Sequence, residues 1–534
     1  MTDRAAILKR HDELVALRRP EERVWREIAR VLAPDEAAIG DGEKPRADPY
    51  QDIFDSSSLY ALDSFAGGLF NQATNPTQDW FDLGYPDPDL KSWGPAREHV
   101  ASVKRAVSAS IAPGASLFYT EAYPWFSNTG AFGLSALYDE PDFNRGVFVE
   151  RAIPVGECYI DVDAWGRVDT VHRAFRLRGR QARKRFGDFA NCRDEAEYVF
   201  IHAVAPNENH QPGALGPRGM AWASVYVSPD VKDLIRIGGY QEMPYAVIQW
   251  ARRPGRVYPR GPGHLARPDA AMLQEMERSH LVGMQFRAEP PILTTEEAAL
   301  TAADIRPNEV LYGAMSDQGK PLAQALNLGE DMGLSLQHAQ AKREAIREAF
   351  LFSLMNLVNR PQMTATEVMA FQEERLRLMA PNLVRVQEAL SSFIARRVRQ
   401  LDRLGLLPEP PPDLKGRGLA IEFVSPLAKA QKAATGRATL QWVGSLAQYQ
   451  QLAPDALDAI DFDAVAQVTH DAFGPPPSVI RAPDKIEALR QSRAQQAAQQ
   501  QQLEAAQTMA GVYADVSHAQ QAQTRAQQRT GKPA

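Results

Sequence analysis

The apolar residues of this chain change period twice along its length, and that change limits the folds open to it. From Ile7 to about residue 133 they recur every three or four positions. From about 146 to 260 they alternate in short runs. From about 269 onward the helical spacing returns. The pattern predicts an α+β protein, mainly helical, with a central β module set between helical segments. At 534 residues the chain is too long for one simple core, so several packed units are expected.

The helical part opens with an apolar stripe of Ile7, Leu8, Leu14, Leu17, Val24, Ile28 and Leu32. Pro20 is expected to end one helix and start the next, because proline suits a first turn and not an interior. Pro34 would close the pair, and residues 35–52 read as a loop. Asp55-Ser56 opens another helix carrying Leu59, Leu62, Phe65, Leu69 and Phe70, ended by the segment Asn75 to Phe81. Further helices are expected at about 95–111 and 115–133.

The β module contains Val147-Phe148-Val149, then Cys158 to Val162 and Arg167 to Val171, with Ala164-Trp165-Gly166 as the hairpin turn between the last two. Further strands are expected at 199–204, 223–227 and 246–250, with a short helix at 180–187. Gly261-Pro262-Gly263 and Pro268 would break the chain before a helix at 269–287.

Helix then dominates from about 334 to 405. Thr364-Ala365-Thr366-Glu367 is a capping box, in which Thr364 accepts from the third amide and Glu367 reaches back. Behind it Leu376, Met379, Leu383, Val386, Leu390 and Phe393 form a narrow seam of coiled-coil type, with Pro381 expected to kink it. Gly405 supplies a stop, and Pro408 to Pro412 prevent continuation. Leu419 to Val424 alternates as one strand, and helices resume at about 427. Beyond 488 the chain is a Gln/Ala tract with few large apolar groups, read as a helix fraying into disorder.

Charge and motifs remove several function classes. The net charge of −6 argues against a protein that grips nucleic acid by neutralising phosphates. The N-terminus has no apolar core of a secretory signal, and no stretch is long and apolar enough to span a bilayer. Cys158 and Cys192 allow at most one disulfide, which suits a reducing, cytoplasmic place of synthesis. Gly319-Lys320 is followed by Pro321, so there is no P-loop hydroxyl for magnesium. Gly261-Pro262-Gly263-His264 begins like a dinucleotide fingerprint but lacks the third glycine. No His pair has zinc-hydrolase spacing, and there is no Gly-x-Ser-x-Gly elbow.

Weaker candidates remain. Asp161 and Asp163 share one strand face and could hold a metal, though a solvated hairpin edge is the default. Asp458, Asp461 and Asp463 suit a helix start or an acidic surface. Tyr119, Tyr123, Trp125 and Phe126 read as core packing before base stacking. Arg180, Arg183, Lys184 and Arg185 read first as a solvated helix face, and second as a contact for DNA or an acidic neighbour.

The order of landmarks resembles the head-to-tail connecting (portal) proteins of podoviruses. The pieces are Asp55-Ser56 with Ala66-Gly67-Gly68-Leu69 and Trp80-Phe81; Asn128-Thr129-Gly130-Ala131; Ile153-Pro154, Gly156-Glu157 and Gly166 to Val171 with Arg173; and Arg260-Gly261-Pro262-Gly263, where Pro259 stands in place of a usual glycine. Ile346, Ala349-Phe350, Met363 to Val368 and Phe423 to Ala428 complete a series running from about 20 to 485.

The resemblance implies a structural protein without catalysis or cofactor, forming a ring, usually dodecameric, at one capsid vertex of the virion. Implied partners are further copies of itself, the major capsid and scaffold proteins, the terminase large subunit, tail adaptor proteins, and double-stranded DNA passing without sequence specificity. Laid on this sequence, it implies an α/β wing at 1–267 and a stem and clip at 268–358. A tunnel loop, long kinked helix and wing strand would occupy 359–425. Crown helices would follow at 426–487 and the Gln/Ala tail at 488–534. Asn359, Arg360 and Gln362, in a turn between two helices, are the candidate DNA-facing residues, with a plain helix connector as the equal alternative. Glu296, Glu297, Asp304 and Glu309 belong to an acidic stem and clip segment, with Asp269, Glu275, Glu277 and Glu289, that would repel sliding DNA. The other readings are a virion adaptor or scaffold protein that binds proteins only, and a metal-dependent nucleic-acid enzyme built on an acidic cluster.

Overall fold

The computed structural model describes residues 3–40, 47–87, 89–90, 93–142, 145–187, 189, 192–231, 236–294, 315–325, 332–355, 365–423, 426–449, 460–473, 479 and 483–529. The chain divides into two compact units. One holds residues 1–83, 103–408 and 421–431; the other holds 84–102, 409–420 and 432–534. Segment 84–102, expected with the N-terminal half, therefore clusters with the C-terminal helices.

In the first unit, α1 spans Arg4–Leu32 and starts where the Asp3 carboxylate accepts from the Ala5 amide at 3.0 Å. Pro20 lies inside this helix and does not split it, contrary to expectation. Burial on both sides of Pro20 outweighs the cost of one lost hydrogen bond. Before it, the Arg18 guanidinium donates to the carbonyls of Val155, Gly156 and Cys158. After it, Trp25, Ile28 and Leu32 are buried.

Then come α2 (Ser57–Ala73), β1 (Phe81–Gly84), α3 (Gly94–Ile111, in this unit from Val103) and α4 (Phe118–Phe132). The β module follows as β2 (Leu134–Asp142), β3 (Val147–Ile153), β4 (Cys158–Val162), β5 (Val168–Arg178), the short helix α5 (Gly179–Phe186), β6 (Glu197–Pro206), β7 (Trp222–Val227), β8 (Arg236–Tyr240) and β9 (Tyr245–Gln249). They form two antiparallel sheets, ordered β3-β2-β9 and β4-β5-β6-β7-β8. The period of two gives the five-stranded sheet two cores. Ile201, Ala203, Val225 and Val227 on one face pack with Ile7 of α1. Phe200 and Tyr226 on the other pack with Phe175 and Ala182 of α5.

Sequence reading missed β2 and β8. Residues 134–139 of β2 are buried on both faces, so no alternation shows. β8 contains Gly238-Gly239, which conceals it as a strand.

Gly261-Pro262-Gly263 does not precede a break. It opens α6 (Pro262–Ala288), which also runs through Pro268. Pro262 occupies the first turn, where no amide donor is needed. The glycines serve a backbone crossing. A Cβ on Gly133, which ends α4 at φ +74°, would lie 2.3 Å from the Arg260 carbonyl carbon. A Cβ on Gly261 would lie 2.5 Å from the Gly133 nitrogen, and one on Gly263 would lie 2.2 Å from the Ala131 carbonyl oxygen.

Next are the antiparallel pair β10 (Ile292–Thr294) and β11 (Ala323–Ala325), then α7 (Met332–Ala349), α8 (Phe352–Met355) and α9 (Ala365–Arg403). Helix α9 continues through Pro381. It ends as expected, with Gly405 at φ +65° and the Leu406 amide donating back to the Leu401 carbonyl. The capping box at Thr364 lies partly outside the described residues. β12 (Ala420–Phe423) pairs with β1.

The second unit has its own small core of Tyr85, Ala96 and Leu414, with Trp93, Val100 and Leu419 against it. Its helices are α10 (Pro426–Tyr449, in this unit from Lys432), α11 (Phe462–Phe473) and α12 (Pro483–Arg529). Asp461 accepts from the amides of Asp463 and Ala464 and so caps α11, the helix-start role expected of that cluster. The Gln/Ala tract is helical as far as Arg529, further than the expected fraying.

Gly133→Ala and Gly261→Ala should each destabilise the protein by more than about 1 kcal/mol, since both force backbone apart. Gly67→Ala meets nothing within 4 Å inside α2 and should be neutral or stabilising. Chemical denaturation of the three variants checks the contrast.

Candidate functional site

The expected DNA-facing residues Asn359, Arg360 and Gln362 fall in 356–364, outside the described residues. So do Glu296, Glu297, Asp304 and Glu309, in 295–314. The structure defines the helices on either side of 356–364 and what fastens them.

On the entering side, α7 is held by ion pairs. Arg343 bonds Asp55 at 2.8 Å and Glu277 at 2.5 Å, and Lys342 bonds Asp269 at 2.8 Å. Burial raises the Asp55 pKa, but the Ser57 amide and Arg343 outweigh it and hold the carboxyl below its usual range. Glu277 and Asp269 were expected among the phosphate-repelling acids; they are spent on Arg343 and Lys342 instead. Nearby, the buried Gln274 amide accepts from the Phe54 and Asp55 amides and donates to the Asp55 carbonyl. Ile346 and Phe350 are buried, and Phe350 meets Phe65 edge-on at 6.0 Å between centroids. Leu351 then takes φ +55°, which turns the chain into α8. A leucine in the left-handed region carries about 1–2 kcal/mol of strain, tolerable only where its neighbours are fixed.

On the leaving side, the described part of the α9 seam packs on the β module and α4. Val386, Leu390 and Phe393 are buried, and Phe393 stacks on Phe118 at 4.7 Å. One turn on, two arginines enter the core. Arg397 is fully buried and donates to Asp139 at 2.9 Å, to Glu150, and to the Ser110 carbonyl at 3.1 Å. Its guanidinium lies 3.7 Å over the Phe148 ring. Arg396 donates to Asp139 at 3.2 Å and to the Glu242 carbonyl at 2.8 Å. Arg403 forks onto both Glu242 oxygens at 2.7 and 2.8 Å. Asp139 and Glu150 lie on β2 and β3, so these bonds fasten α9 to the three-stranded sheet. Nothing in the sequence marked Arg396 and Arg397 as core.

Several of the remaining candidates make structural contacts, and Asp458 lies outside the described residues. Arg10 claims Asp161, and Asp163 caps the hairpin turn through the Trp165 and Arg167 amides. Among the described residues no group of three metal-binding side chains is present. Cys158 and Cys192 are both free, so the disulfide left open does not form; burial pushes the Cys158 thiol up to about 12. Trp125 and Phe126 are buried core, while Tyr123 bonds Asp63 at the surface. Of the basic cluster, Arg183 pairs with Asp194 at 2.6 Å, and Arg185 lies beside Tyr226.

The sheets also bury histidines. His202 sits between the Tyr245 hydroxyl at 2.7 Å and the Ser224 hydroxyl at 2.9 Å. Burial, then neighbouring arginines, push its pKa well below the usual value. Burial pushes His172 down to about 3, aided by His11 and Arg10.

Two predictions follow from this geometry. Arg397→Met leaves Glu150 buried without its cation and should cost about 3–5 kcal/mol in denaturant unfolding, with Glu150→Leu in the same chain recovering part of the loss. For the histidines, the unfolded chain takes a proton near its ordinary pKa of about 6.5, and the folded chain does not until far lower. Stability should therefore fall as pH drops from 6.5 toward 3, and His172→Asn should flatten that fall in melts taken across the range.

Comparison with known proteins agrees with the landmarks. Residues 4–480 match the family described as bacteriophage head to tail connecting protein. The chain is 28% identical over 519 residues to a probable portal protein of Bordetella phage BPP-1, covering 93% of each chain. It is 27% identical over 527 residues to the portal protein of Salmonella phage epsilon15, covering 95% of this chain and 93% of that one. The matched span includes the β module, the ion-paired helices and the segment they flank, so the chain belongs to the bacteriophage head to tail connecting protein family and has the function of a phage portal protein.

Proposed function

We propose that copies of this chain close into a ring of about twelve subunits at one capsid vertex, with double-stranded DNA passing through the centre. The role is structural: the ring docks the terminase during packaging, retains the genome, accepts the tail adaptors and opens the path on ejection. The supporting observation is the family match along residues 4–480.

Physical features of the chain suit that role. Segment 356–364 follows α7, which is ion-paired to α6, and the short α8, and it precedes α9, whose C-terminal half is fastened to the sheet. Fastened elements before and after a DNA-facing segment would keep it from being dragged along by moving DNA. Arg360 would be a rare cation there, and the acids Glu296, Glu297, Asp304 and Glu309 would keep phosphate from binding by counterion release.

Native mass spectrometry with negative-stain class averages of the purified full chain tests the reading. A closed ring of about twelve copies with a central hole is expected. A chain that stays monomeric even with its scaffold protein present would contradict it.

A further inference from the structure

A ring of identical subunits needs a heterologous contact, in which one patch of each copy meets a different patch of the next. The five-stranded sheet carries two such patches at opposite edges, since β4 and β8 are its outer strands. Four strand spacings separate them, about 19 Å.

At the β8 edge lies a cavity of about 960 Å³. Arg151, Lys184, Arg185 and Arg236 line it with Tyr226 and Tyr240, and its lining cations outnumber its two carboxylates, Glu140 and Asp142. Among the described residues, Arg151, Lys184, Arg185 and Arg236 make no ion pair with a carboxylate. Burial, then repulsion from Arg173, lower the Arg151 pKa despite nearby Glu157 and Glu121. The cavity thus holds cations in excess and aromatic walls. Ile237 on the same edge strand is 45% exposed.

At the β4 edge the β4–β5 hairpin carries Trp165 at its tip, 83% exposed. An indole left in water at a rigid hairpin tip is the side chain that most often anchors a protein interface. The hairpin is acidic: Asp161 is taken by Arg10, and Asp163 and Asp169 stand against Arg167. Burial, then Asp161 and Asp163, raise the Asp169 pKa even though Thr170 opposes it.

Resting on the ring reading above, we infer that the Trp165 hairpin of each copy docks in the cation-lined cavity at the β8 edge of the next copy. The indole lies against the guanidinium groups of the cavity, a face-on attraction that strengthens when water is excluded. Asp163 and Asp169 add anions to a cavity whose own carboxylates, Glu140 and Asp142, are already engaged by the Tyr138 hydroxyl and by Arg145. The two patches are not self-complementary, so the contact repeats head to tail and does not stop at a dimer.

The test uses the full chain with Cys192→Ser, Ala164→Cys and Gly238→Cys, keeping Trp165. Position 238 accepts a side chain, since a Cβ there meets only the Ser224 carbonyl oxygen at 3.9 Å. Native mass spectrometry first confirms that this variant closes its ring. A short thiol cross-linker should then give a ladder of covalent oligomers on a denaturing gel. Neither cysteine alone should give one. Adding Trp165→Ala should cut the cross-linked fraction at least about ten-fold, as expected for loss of an anchor residue. A closed ring with no ladder overturns the inference and leaves the ring reading intact; the cavity would then serve another anion. Absence of any ring in the unmodified chain overturns the ring reading, and this contact with it.

Discussion

Arg397 sits in the core with no exposure, and its charge is tolerated only because Asp139 and Glu150 are buried with it. Bringing three charged groups out of water is costly, so the arrangement stands or falls as a unit. It joins α9 to β2 and β3, which in turn carry β9. Apolar packing alone would let a long helix settle at several neighbouring registers. Guanidinium forks on fixed carboxylates allow one. That fixed register sets how the C-terminal half of α9 lies along the sheet.

The second constraint is the glycine crossing of Gly133 with Gly261 and Gly263. It brings the end of α4 and the start of α6 into backbone contact. From α6, Glu277 and Asp269 reach α7, and α7 leads to the same segment from the other side. The sequence Gly-Pro-Gly reads as a break when only local conformation is weighed. Its reason is tertiary: no Cβ fits between the two backbones.

This contrast explains what could be read from the chain unaided. Helices with a clear 3.6-residue stripe were legible, as were strands with a polar face and the Gly405 stop. Pro20 misled because local cost was judged without the buried Arg18 and Trp25 that flank it. β2 was invisible because burial on both faces erases alternation. Arg396 and Arg397 look like surface residues of an amphipathic helix, and only their partners, more than 240 positions away, make them core. The family was legible because its landmarks mark such tertiary necessities in order. The DNA-facing turn and the acidic segment rest on that resemblance, and their residues lie outside those described.

We propose that residues 359–362 lie near the axis of the ring. Spin labels at position 360 in the assembled ring measure this through the separation of labels on adjacent copies, which scales with distance from the axis. The account predicts that this separation is shorter than for a label at exposed Leu215 in the β6–β7 loop. Equal or longer separations at 360 would place the turn away from the channel and contradict it.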